Sequence, residues 1–285
     1  LPFGDEPELD LSMDWRMTPG DNHLPLACWR VYPASADPDH LDFYPPEFNL
    51  LEREPSPLTP APDGLIFTSD FLYCGAPAEL SLVLDDEFCS GEWEVAVNGC
   101  PISDWRPCRR FDCRNREASI REALHSAPGT PTPNRIAVRC RGGVLRQMPR
   151  LVGAFRAQYR QAHRFLPLLY AATDAALTLP QLADWNVLGF PAYAGSAVYE
   201  REFTLAEAGR RQLDLGRVED LAEVAVDGRA CGVAAWAPYR VDLGELGAGT
   251  HRLQVTVACG PGNRERLAGL PAGWLGPVRL LRIRG

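Results

Sequence analysis

The sequence predicts an all-β protein that consists of two tandem β-sandwich domains. Three observations support this fold class: a strand-and-turn segment occurs twice, the same blocks surround each copy, and apolar residues alternate with polar ones. The segment is WEVAVNG at 93–99 and EVAVDG at 223–228. Asn-Gly and Asp-Gly tolerate the positive φ that both central residues of a tight hairpin turn adopt. The sequence therefore predicts two β-hairpins, with turns at 98–99 and 227–228.

The blocks around the repeated segment occur in the same order in both halves of the chain. The corresponding pairs are Trp105 and Trp236, residues 110–112 and 240–242, 134–140 and 250–259, 151–156 and 275–279, and, before the segment, 78–84 and 211–215. Their spacing drifts along the chain, as it does when loops of different length separate the strands of a duplicated domain. A repeated unit of this length is a domain and not one turn of a solenoid.

Alternating apolar residues mark the strands of the first repeat. The alternating sets are Leu80, Leu82 and Leu84, then Trp93, Val95 and Val97, then Ile136, Val138 and Cys140. A period of two with one apolar face is typical of strands that pack on one side only, as in a β-sandwich. Residues 119–124 are the one short helical candidate, with Ser119 or Asn115 as its N-cap.

Composition divides the chain into three parts. Residues 1–63 are acidic and proline-rich, and because proline removes backbone donors we expect an extended, mostly irregular segment that packs on the first sandwich. Within it, 24–32 is predicted to be an edge strand. The first sandwich is predicted at 64–160. Residues 161–285 hold the second sandwich and most of an apolar connector, 158–180, which we expect to pack between the two sandwiches.

Charge and hydropathy restrict the partners. The 285-residue chain has a net charge of −8, and because nucleic acids and anionic membranes bind basic surfaces, neither is expected as a partner. No apolar run has transmembrane length, and no stretch has the pattern of a signal peptide. We therefore expect a cytoplasmic location, unless a targeting segment precedes Leu1.

The cysteines favour a reducing compartment. There are nine of them, an odd number, and no C-x-x-C pair occurs, unlike in a disulfide-stapled secreted domain. Cys140 and Cys259 lie at apolar strand positions, where we expect free thiols that behave as small apolar side chains. The sequence leaves open a disulfide between Cys108 and Cys113.

A run of aromatic residues and glycines introduces the second repeat: Asp184, Trp185, Gly189, Phe190, Pro191, Tyr193, Gly195, Tyr199 and Phe203. It resembles the W-x3-G-[YF]-P-x-Y-x-G-x3-Y motif in the C-terminal accessory region of large bacterial glycoside hydrolases of the α-L-rhamnosidase and β-galactosidase-like type. Residues 149–155 look like the LxGxF element of that region. Residues 226–242 look like the signature of galactose-binding-like jelly rolls. The resemblance covers roughly 65–285 and implies that both sandwiches are jelly rolls of this kind.

The resemblance also implies a role. In such enzymes the catalytic carboxylates lie on a separate (β/α)8 barrel, and no part of this sequence has the pattern of one. The chain then resembles a non-catalytic accessory region, whose partner is the catalytic domain of the same parent protein. No catalytic residue is carried over from the family.

Two acidic clusters support alternatives. Glu200 and Glu202 lie two residues apart on a predicted strand, hence on one face, where they could act as the acid and base of a small hydrolase. Residues 85–87 (Asp-Asp-Glu) could hold a structural calcium ion, and no other cofactor is predicted. The histidines lack zinc spacing, and no nucleophile elbow or phosphate-binding glycine loop occurs.

Carbohydrate binding needs aromatic walls for the apolar faces of pyranose rings and a few polar groups for the hydroxyls. The candidate stacking residues are Trp185, Tyr193, Trp236 and Trp274, and the candidate polar partners are Asp184, Asn186 and Arg240. The recurrence of Trp236 as Trp105 favours a structural role for that position. We therefore predict an accessory region that supports a catalytic domain and contacts carbohydrate. An autonomous carbohydrate-binding module and a small hydrolase are the alternatives.

Overall fold

The computed structural model describes residues 6–38, 48–49, 63–76, 79–160, 163–171, 176–190, 193–259 and 270–283. In these ranges nearly all regular structure is β-strand, which confirms the predicted all-β class. The chain forms two compact units. The central unit is Asn22–Thr173, and the terminal unit is Leu1–Asp21 together with Asp174–Gly285. Over the described ranges, no helix combines the length and the apolar character needed to cross a membrane.

The strands follow one another with short connections. The first two strands belong to the terminal unit: β1 (Glu6–Asp10) and β2 (Met13–Pro19). The next thirteen belong to the central unit: β3 (Asn22–Pro25), β4 (Cys28–Pro33), β5 (Phe48–Asn49), β6 (Leu65–Cys74), β7 (Leu80–Asp85), β8 (Glu92–Val97), β9 (Cys100–Ile102), β10 (Arg106–Pro107), β11 (Asn115–Ser119), β12 (Thr132–Arg141), β13 (Arg150–Gly153), β14 (Phe155–Arg160) and β15 (His163–Ala171). The last ten belong to the terminal unit: β16 (Leu177–Gln181), β17 (Ser196–Leu205), β18 (Gly209–Asp214), β19 (Arg217–Glu219), β20 (Leu221–Val226), β21 (Arg229–Ala234), β22 (Arg240–Leu246), β23 (Gly249–Ala258), β24 (Gly273–Gly276) and β25 (Arg279–Arg282). A 3₁₀ turn at Arg121–Ala123 replaces the predicted helix, because Ser119 still pairs with Ser81 in the sheet.

The central unit contains two sheets. One has the strand order β10-β11-β7-β13-β3, and the other has the order β14-β15-β6-β12-β8-β9, with β4 also paired to β6. β15 and β6 are parallel, and the other described pairs in these two sheets are antiparallel. Val97 opposes Ile136 and Val95 opposes Val138, and all four side chains are buried. The predicted alternation therefore places these residues on an inner face.

Most of this strand order recurs in the terminal unit, whereas β10 and the hairpin of β14 and β15 have no counterpart there. Its larger sheet runs β16-β2-β17-β23-β20-β21, its smaller sheet runs β1-β25-β18-β22, and β19 pairs separately with β24. Strands β2, β17, β23, β20 and β21 occupy the sheet positions of β4, β6, β12, β8 and β9. Strands β1, β25, β18 and β22 occupy those of β3, β13, β7 and β11. Antiparallel sheets with apolar inner faces are the components of a β-sandwich.

Both predicted hairpin turns are confirmed. Asn98 and Gly99 have φ values of 49° and 77°, and Asp227 and Gly228 have values of 52° and 77°. Positive φ at both central residues is the signature of the tight turn whose twist matches that of the flanking strands. Each turn joins the two outermost strands at one side of its sheet, β8 to β9 and β20 to β21.

The N-terminal residues differ from the prediction. β1 pairs with β25 and β2 pairs with β17, so residues 6–19 are regular strands of the terminal unit and not an irregular cover of the first sandwich. Trp15 and Met17 lie in the core, and the buried guanidinium of Arg211 donates to the Glu8 carboxylate (Nη2 to Oε1, 3.0 Å). Local sequence did not reveal these strands, because their pairing partners lie at the opposite end of the chain.

The segments around the predicted boundaries are also corrected. Residues 24–32 divide into β3 and β4, which belong to different sheets. The predicted connector contains the second half of β14 and all of β15, a hairpin that extends the larger central sheet with Leu168 and Leu169 buried. The two units meet in sequence at 173–174 and not at 160. Most of the proline-rich stretch 39–62, the loop at 260–264 and Pro191 lie outside the described residues.

One cysteine expectation is wrong. Cys140 is not free, because it forms a disulfide with Cys89, whose loop pairs with Leu145 beyond the end of β12. The argument for a reducing compartment loses that support. Cys259 is buried and is not part of a disulfide, as expected, and Cys108 and Cys113 are not bonded to each other.

The Asn98 side chain holds the first hairpin turn. Its Nδ2 donates to the carbonyl oxygen of Ala123 and to Oδ1 of Asn134, both at 2.8 Å, and its Oδ1 accepts from the backbone N–H of Arg135 at 2.9 Å. In Asn98→Asp, a carboxylate oxygen would face two acceptors. We expect this variant to lower the free energy of unfolding by about 1–3 kcal/mol, measured by urea denaturation at pH 7.

The matched control is Asp227→Asn in the second turn. Asp227 Oδ1 accepts from the Arg252 N–H at 2.8 Å, which an amide oxygen can also do, and an amide nitrogen in place of Oδ2 can donate to Nδ1 of a neutral His251. A much smaller loss at pH 7 is therefore expected. Equal losses in the two variants would contradict the assignment of Asn98 as an obligatory donor.

His251 joins two turns of the terminal unit. Its Nε2 faces the Gly247 carbonyl oxygen at 3.0 Å, and its Nδ1 faces Asp227 Oδ2 at 2.7 Å. Both neighbours are acceptors, and only the imidazolium can donate from both ring nitrogens. The hydrogen bond that His251 donates to Asp227, assisted by the one to the Gly247 carbonyl, accordingly raises the pKa of His251.

This arrangement predicts a pH-dependent contribution to stability. Because the pKa of His251 is higher in the folded protein, its contribution is complete below the unfolded value of about 6.5 and is lost as the pH rises through the folded value. Comparing urea denaturation of the wild type and His251→Gln from pH 5.5 to 9 should show the advantage of the wild type falling with pH. We expect a decrease of about 0.2–1 kcal/mol. An advantage that grows with pH would contradict the charged state.

Candidate carbohydrate-binding site

Three of the four predicted stacking residues are core residues. Trp185 and Trp274 are 0% exposed and Tyr193 is 2% exposed, so a sugar ring cannot reach any of them. Their polar atoms bond within the protein: Trp185 Nε1 donates to the Tyr199 hydroxyl at 2.7 Å, and Tyr193 Oη donates to the Gly20 carbonyl at 2.8 Å. The prediction that these three residues contact carbohydrate is therefore wrong.

The aromatic motif instead closes the core of the terminal unit. Trp15 packs edge-on against Trp274 at 4.6 Å between ring centroids, Tyr199 packs against Trp274 at 5.3 Å, and Trp185 packs against Tyr193 at 5.0 Å. Edge-to-face pairs of this kind stabilise beyond the area they bury. Burial raises the pKa of both Tyr193 and Tyr199, so both hydroxyls stay protonated and available as donors.

A glycine supports this packing. Gly273 has a φ of 93°, and a Cβ there would lie 2.5 Å from the Trp185 indole nitrogen. The backbone of β24 can therefore approach the ring closely only without a side chain. This contact gives Trp185 a structural role.

Asp184 and Asn186 are also structural. Asp184 Oδ1 accepts from the backbone N–H of Asn186 at 2.9 Å and from its side-chain amide at 2.8 Å. The amide of Asn186 also donates to the Leu270 carbonyl at 3.1 Å. Both predicted polar partners therefore fix the loop that precedes β17.

Trp236 is the predicted aromatic residue that the fold leaves on the surface. It is 78% exposed, in the connection between β21 and β22, and its indole N–H has no hydrogen-bond partner among the described residues. Trp15, Trp29, Trp185 and Trp274, in contrast, are at most 1% exposed. An indole left in water with its donor unused is available to a ligand.

Polar groups surround the base of this connection, which we call the Trp236 loop (residues 235–239). Arg240 Nε donates to Asp214 Oδ2 at 2.9 Å, and the Tyr239 carbonyl accepts from the Leu215 N–H at 2.8 Å. These bonds tie the loop to β18, so its position does not depend on Trp236 itself. The guanidinium and carboxylate are partly exposed and offer both donors and acceptors.

Tyr239 contributes a hydroxyl to the same region. Its side chain packs against the core at one end, and its hydroxyl lies 3.5 Å from the Asp220 carbonyl. Desolvation, together with the negative charges of Asp220 and Glu219, raises the pKa of Tyr239. The group is therefore a neutral hydroxyl near pH 7. An exposed indole, a hydroxyl and a compensated arginine–aspartate pair form a surface suited to a neutral polyhydroxylated ligand.

Glu200 and Glu202, the acidic pair of the hydrolase hypothesis, both lie on β17. Glu200 Oε1 accepts from Arg252 Nη2 at 2.6 Å and from Gln254 Nε2 at 3.2 Å. Both donors lie on β23, the strand next to β17. Glu202 lies two residues along β17 and is exposed. Glu200 is thus engaged in an ion pair on an open sheet face. Nothing in the described contacts sets an acid and a base around a shared substrate position, as glycoside hydrolysis requires.

The proposed calcium ligands bind arginines. Asp85 and Glu87 lie 3.4 and 3.2 Å from Arg114, and Asp86 forms an ion pair with Arg116. In the part of the chain that the structure describes, no group of three or more His, Cys, Asp or Glu side chains could hold a metal ion. The turn after β7 therefore shows the geometry of a salt-bridged surface turn.

Sequence reasoning found Trp236 and Arg240 but missed Asp214. Asp214 opposes Arg240 in the pairing of β18 with β22. The only signal in the sequence is the opposite charge of the two residues, which becomes informative once the strand register is known.

Similar solved structures are those of glycoside hydrolases. A rhamnosidase from Novosphingobium sp. PP1Y is 22% identical over 76% of this chain and 23% of that chain, with a TM-score of 0.33. A GH2 β-galacturonidase from Eisenbergiella tayi, bound to galacturonate, is 24% identical over 45% of this chain and 22% of that chain (TM-score 0.29). β-Glucuronidase 2 from Bacteroides uniformis is 10% identical over 84% of this chain and 28% of that chain (TM-score 0.34).

The chain spans about a quarter of the length of these proteins. Similarity at this level assigns neither a family nor an activity to it. No protein-family model and no curated protein matches the chain.

The exposure of Trp236 can be measured by acrylamide quenching of tryptophan fluorescence. Trp236→Phe should remove most of the readily quenched emission, because the other indoles are buried or half-buried. Trp185→Phe is the matched control: it should lower total emission and, by removing the bond to Tyr199, stability by about 1 kcal/mol. An unchanged quenchable fraction in Trp236→Phe would contradict the exposed position.

Proposed function

We propose that this chain is a non-catalytic, carbohydrate-contacting accessory region of a larger glycoside hydrolase-like protein. The observation that carries the carbohydrate contact is the Trp236 side chain, 78% exposed in the loop that leads into Arg240, which pairs with Asp214. Indole faces stack on the apolar C–H faces of pyranose rings, and the nearby polar groups can exchange hydrogen bonds with hydroxyls. The ion pair of Glu200 with Arg252 supports a non-catalytic role.

The accessory role rests on the sequence resemblance and on the duplication. The motif that introduces the second repeat resembles the accessory region of such enzymes, and its aromatic residues serve the core. The matching strand order of the two units supports tandem copies of one jelly-roll sandwich. The partners in this proposal are the catalytic domain of the parent protein and an oligo- or polysaccharide.

The carbohydrate contact is tested by affinity gel electrophoresis with galactan, xylan or glucomannan in the gel. The purified chain should be retarded by at least one of them. Trp236→Ala should weaken that binding at least about tenfold, because truncating a central aromatic contact removes more than about 1.4 kcal/mol. Val233→Ala, which shortens an exposed apolar side chain on the preceding strand, is the matched control and should bind as the wild type.

The outcomes discriminate among the hypotheses. Retardation that Trp236→Ala leaves unchanged would contradict the assigned surface, and no retardation in any polysaccharide would contradict carbohydrate contact. Turnover of nitrophenyl glycosides by the same preparation would support the hydrolase alternative. Reading the gene on both sides of this chain for a (β/α)8 barrel separates an accessory region from an autonomous binding module.

A further inference from the structure

The central unit has an indole at the position that corresponds to Trp236. In the terminal unit, Trp236 lies where the chain leaves the hairpin strand β21 for the smaller sheet. In the central unit, Trp105 lies where the chain leaves the corresponding strand β9 for the other sheet. The two residues are therefore equivalent by topology as well as by sequence order.

A hydrogen bond and a ring contact fix the orientation of the Trp105 side chain. Its Nε1 donates to the Ile102 carbonyl at 3.0 Å, and its ring packs edge-on against Trp93 at 5.7 Å. Trp93 in turn packs against Phe88 at 4.9 Å. Phe88 is fully buried, whereas Trp93 and Trp105 are partly exposed, so the three rings run from the core to the surface.

This partial exposure distinguishes the two indoles from those that close a core. The fully buried indoles show that this fold can enclose a tryptophan completely. Trp93 and Trp105 instead keep part of their rings in water while their orientation is fixed. A fixed, partly exposed aromatic surface loses little conformational freedom when a ligand stacks on it.

A charged pair flanks Trp105 in the sequence, and Arg240, which pairs with Asp214, follows Trp236 at the end of its loop. Arg106 Nη2 donates to Asp104 Oδ2 at 2.6 Å, and the two side chains are 75% and 77% exposed. An ion pair this exposed contributes little to stability. Its donors and acceptors can therefore form hydrogen bonds with the hydroxyl groups of a ligand at small cost. Because the two charges compensate each other, the surface favours a neutral ligand over an acidic one.

We infer that the central unit carries a second carbohydrate-contact surface, made of Trp105 and Trp93 and flanked by Asp104 and Arg106, which takes neutral pyranose oligosaccharides. This inference rests on the proposed function of the Trp236 loop. The chain then binds two oligosaccharides, one on each unit.

The test is calorimetric titration of the full chain with cello-, galacto- and xylo-oligosaccharides. The wild type should bind two molecules per chain, and Trp236→Ala should bind one. Trp105→Ala should also bind one, because its central-unit surface should bind the oligosaccharide at least about tenfold more weakly. Trp105→Phe, which keeps an aromatic ring, should retain both sites.

Because Trp105 is partly buried, a second variant separates binding from folding. Asp104→Ala with Arg106→Ala removes only exposed side chains and should weaken the same site about three- to tenfold, with the thermal unfolding curve unchanged. Arg121→Ala breaks another exposed ion pair of the central unit, with Glu79, and should leave both sites intact.

The failure of this inference is distinct from that of the proposed function. One site in the wild type, abolished by Trp236→Ala and untouched by changes at Trp105, Asp104 and Arg106, overturns the second surface and leaves the first. No binding by the wild type overturns both.

Discussion

The hydrogen-bonding requirement of a buried indole decides how this protein uses its tryptophans. The four buried indoles each donate to an acceptor within 2.7–2.8 Å: Trp15 to Leu11, Trp29 to Leu26, Trp185 to Tyr199 and Trp274 to Leu215. An indole N–H buried without an acceptor would cost about 1–3 kcal/mol. Each bond therefore ties a large ring to a particular backbone or side-chain position, and the cores of both units close around these rings. Trp236 has no such bond among the described residues and is 78% exposed, so its indole N–H faces solvent.

The two units share most of their strand order, while their exposed residues differ. Strand order follows from backbone pairing and from the apolar inner faces, which both units share. The turn residues differ in chemistry, since Asn98 donates through its side-chain amide whereas both carboxylate oxygens of Asp227 face donors. Trp105 and Trp236 share a position, yet one is half-buried against Trp93 and the other stands in solvent. The surfaces can diverge because the backbone ladder does not depend on them.

The terminal unit is assembled from both ends of the chain. β1 and β2 complete sheets whose other strands lie beyond residue 176, and Arg211 binds Glu8 inside this unit. Removing one partner of a buried ion pair leaves an uncompensated charge, at a cost of about 3–5 kcal/mol. The first strands are thus integral to the second repeat's sandwich. This explains why division of the chain by composition at residues 63 and 160 did not recover the structural units.

The sequence by itself determined the all-β class, the duplicated order of blocks, both hairpin turns and the inward faces of the repeat strands, because those features follow from local φ preferences and a period of two. Only the tertiary structure decided the long-range pairs: β1 with β25, Cys89 with Cys140, and Arg240 with Asp214. It also decided which aromatic residues are accessible. Periodicity places a side chain on a face, but burial depends on what packs against that face, and the packing partners here come from distant parts of the chain.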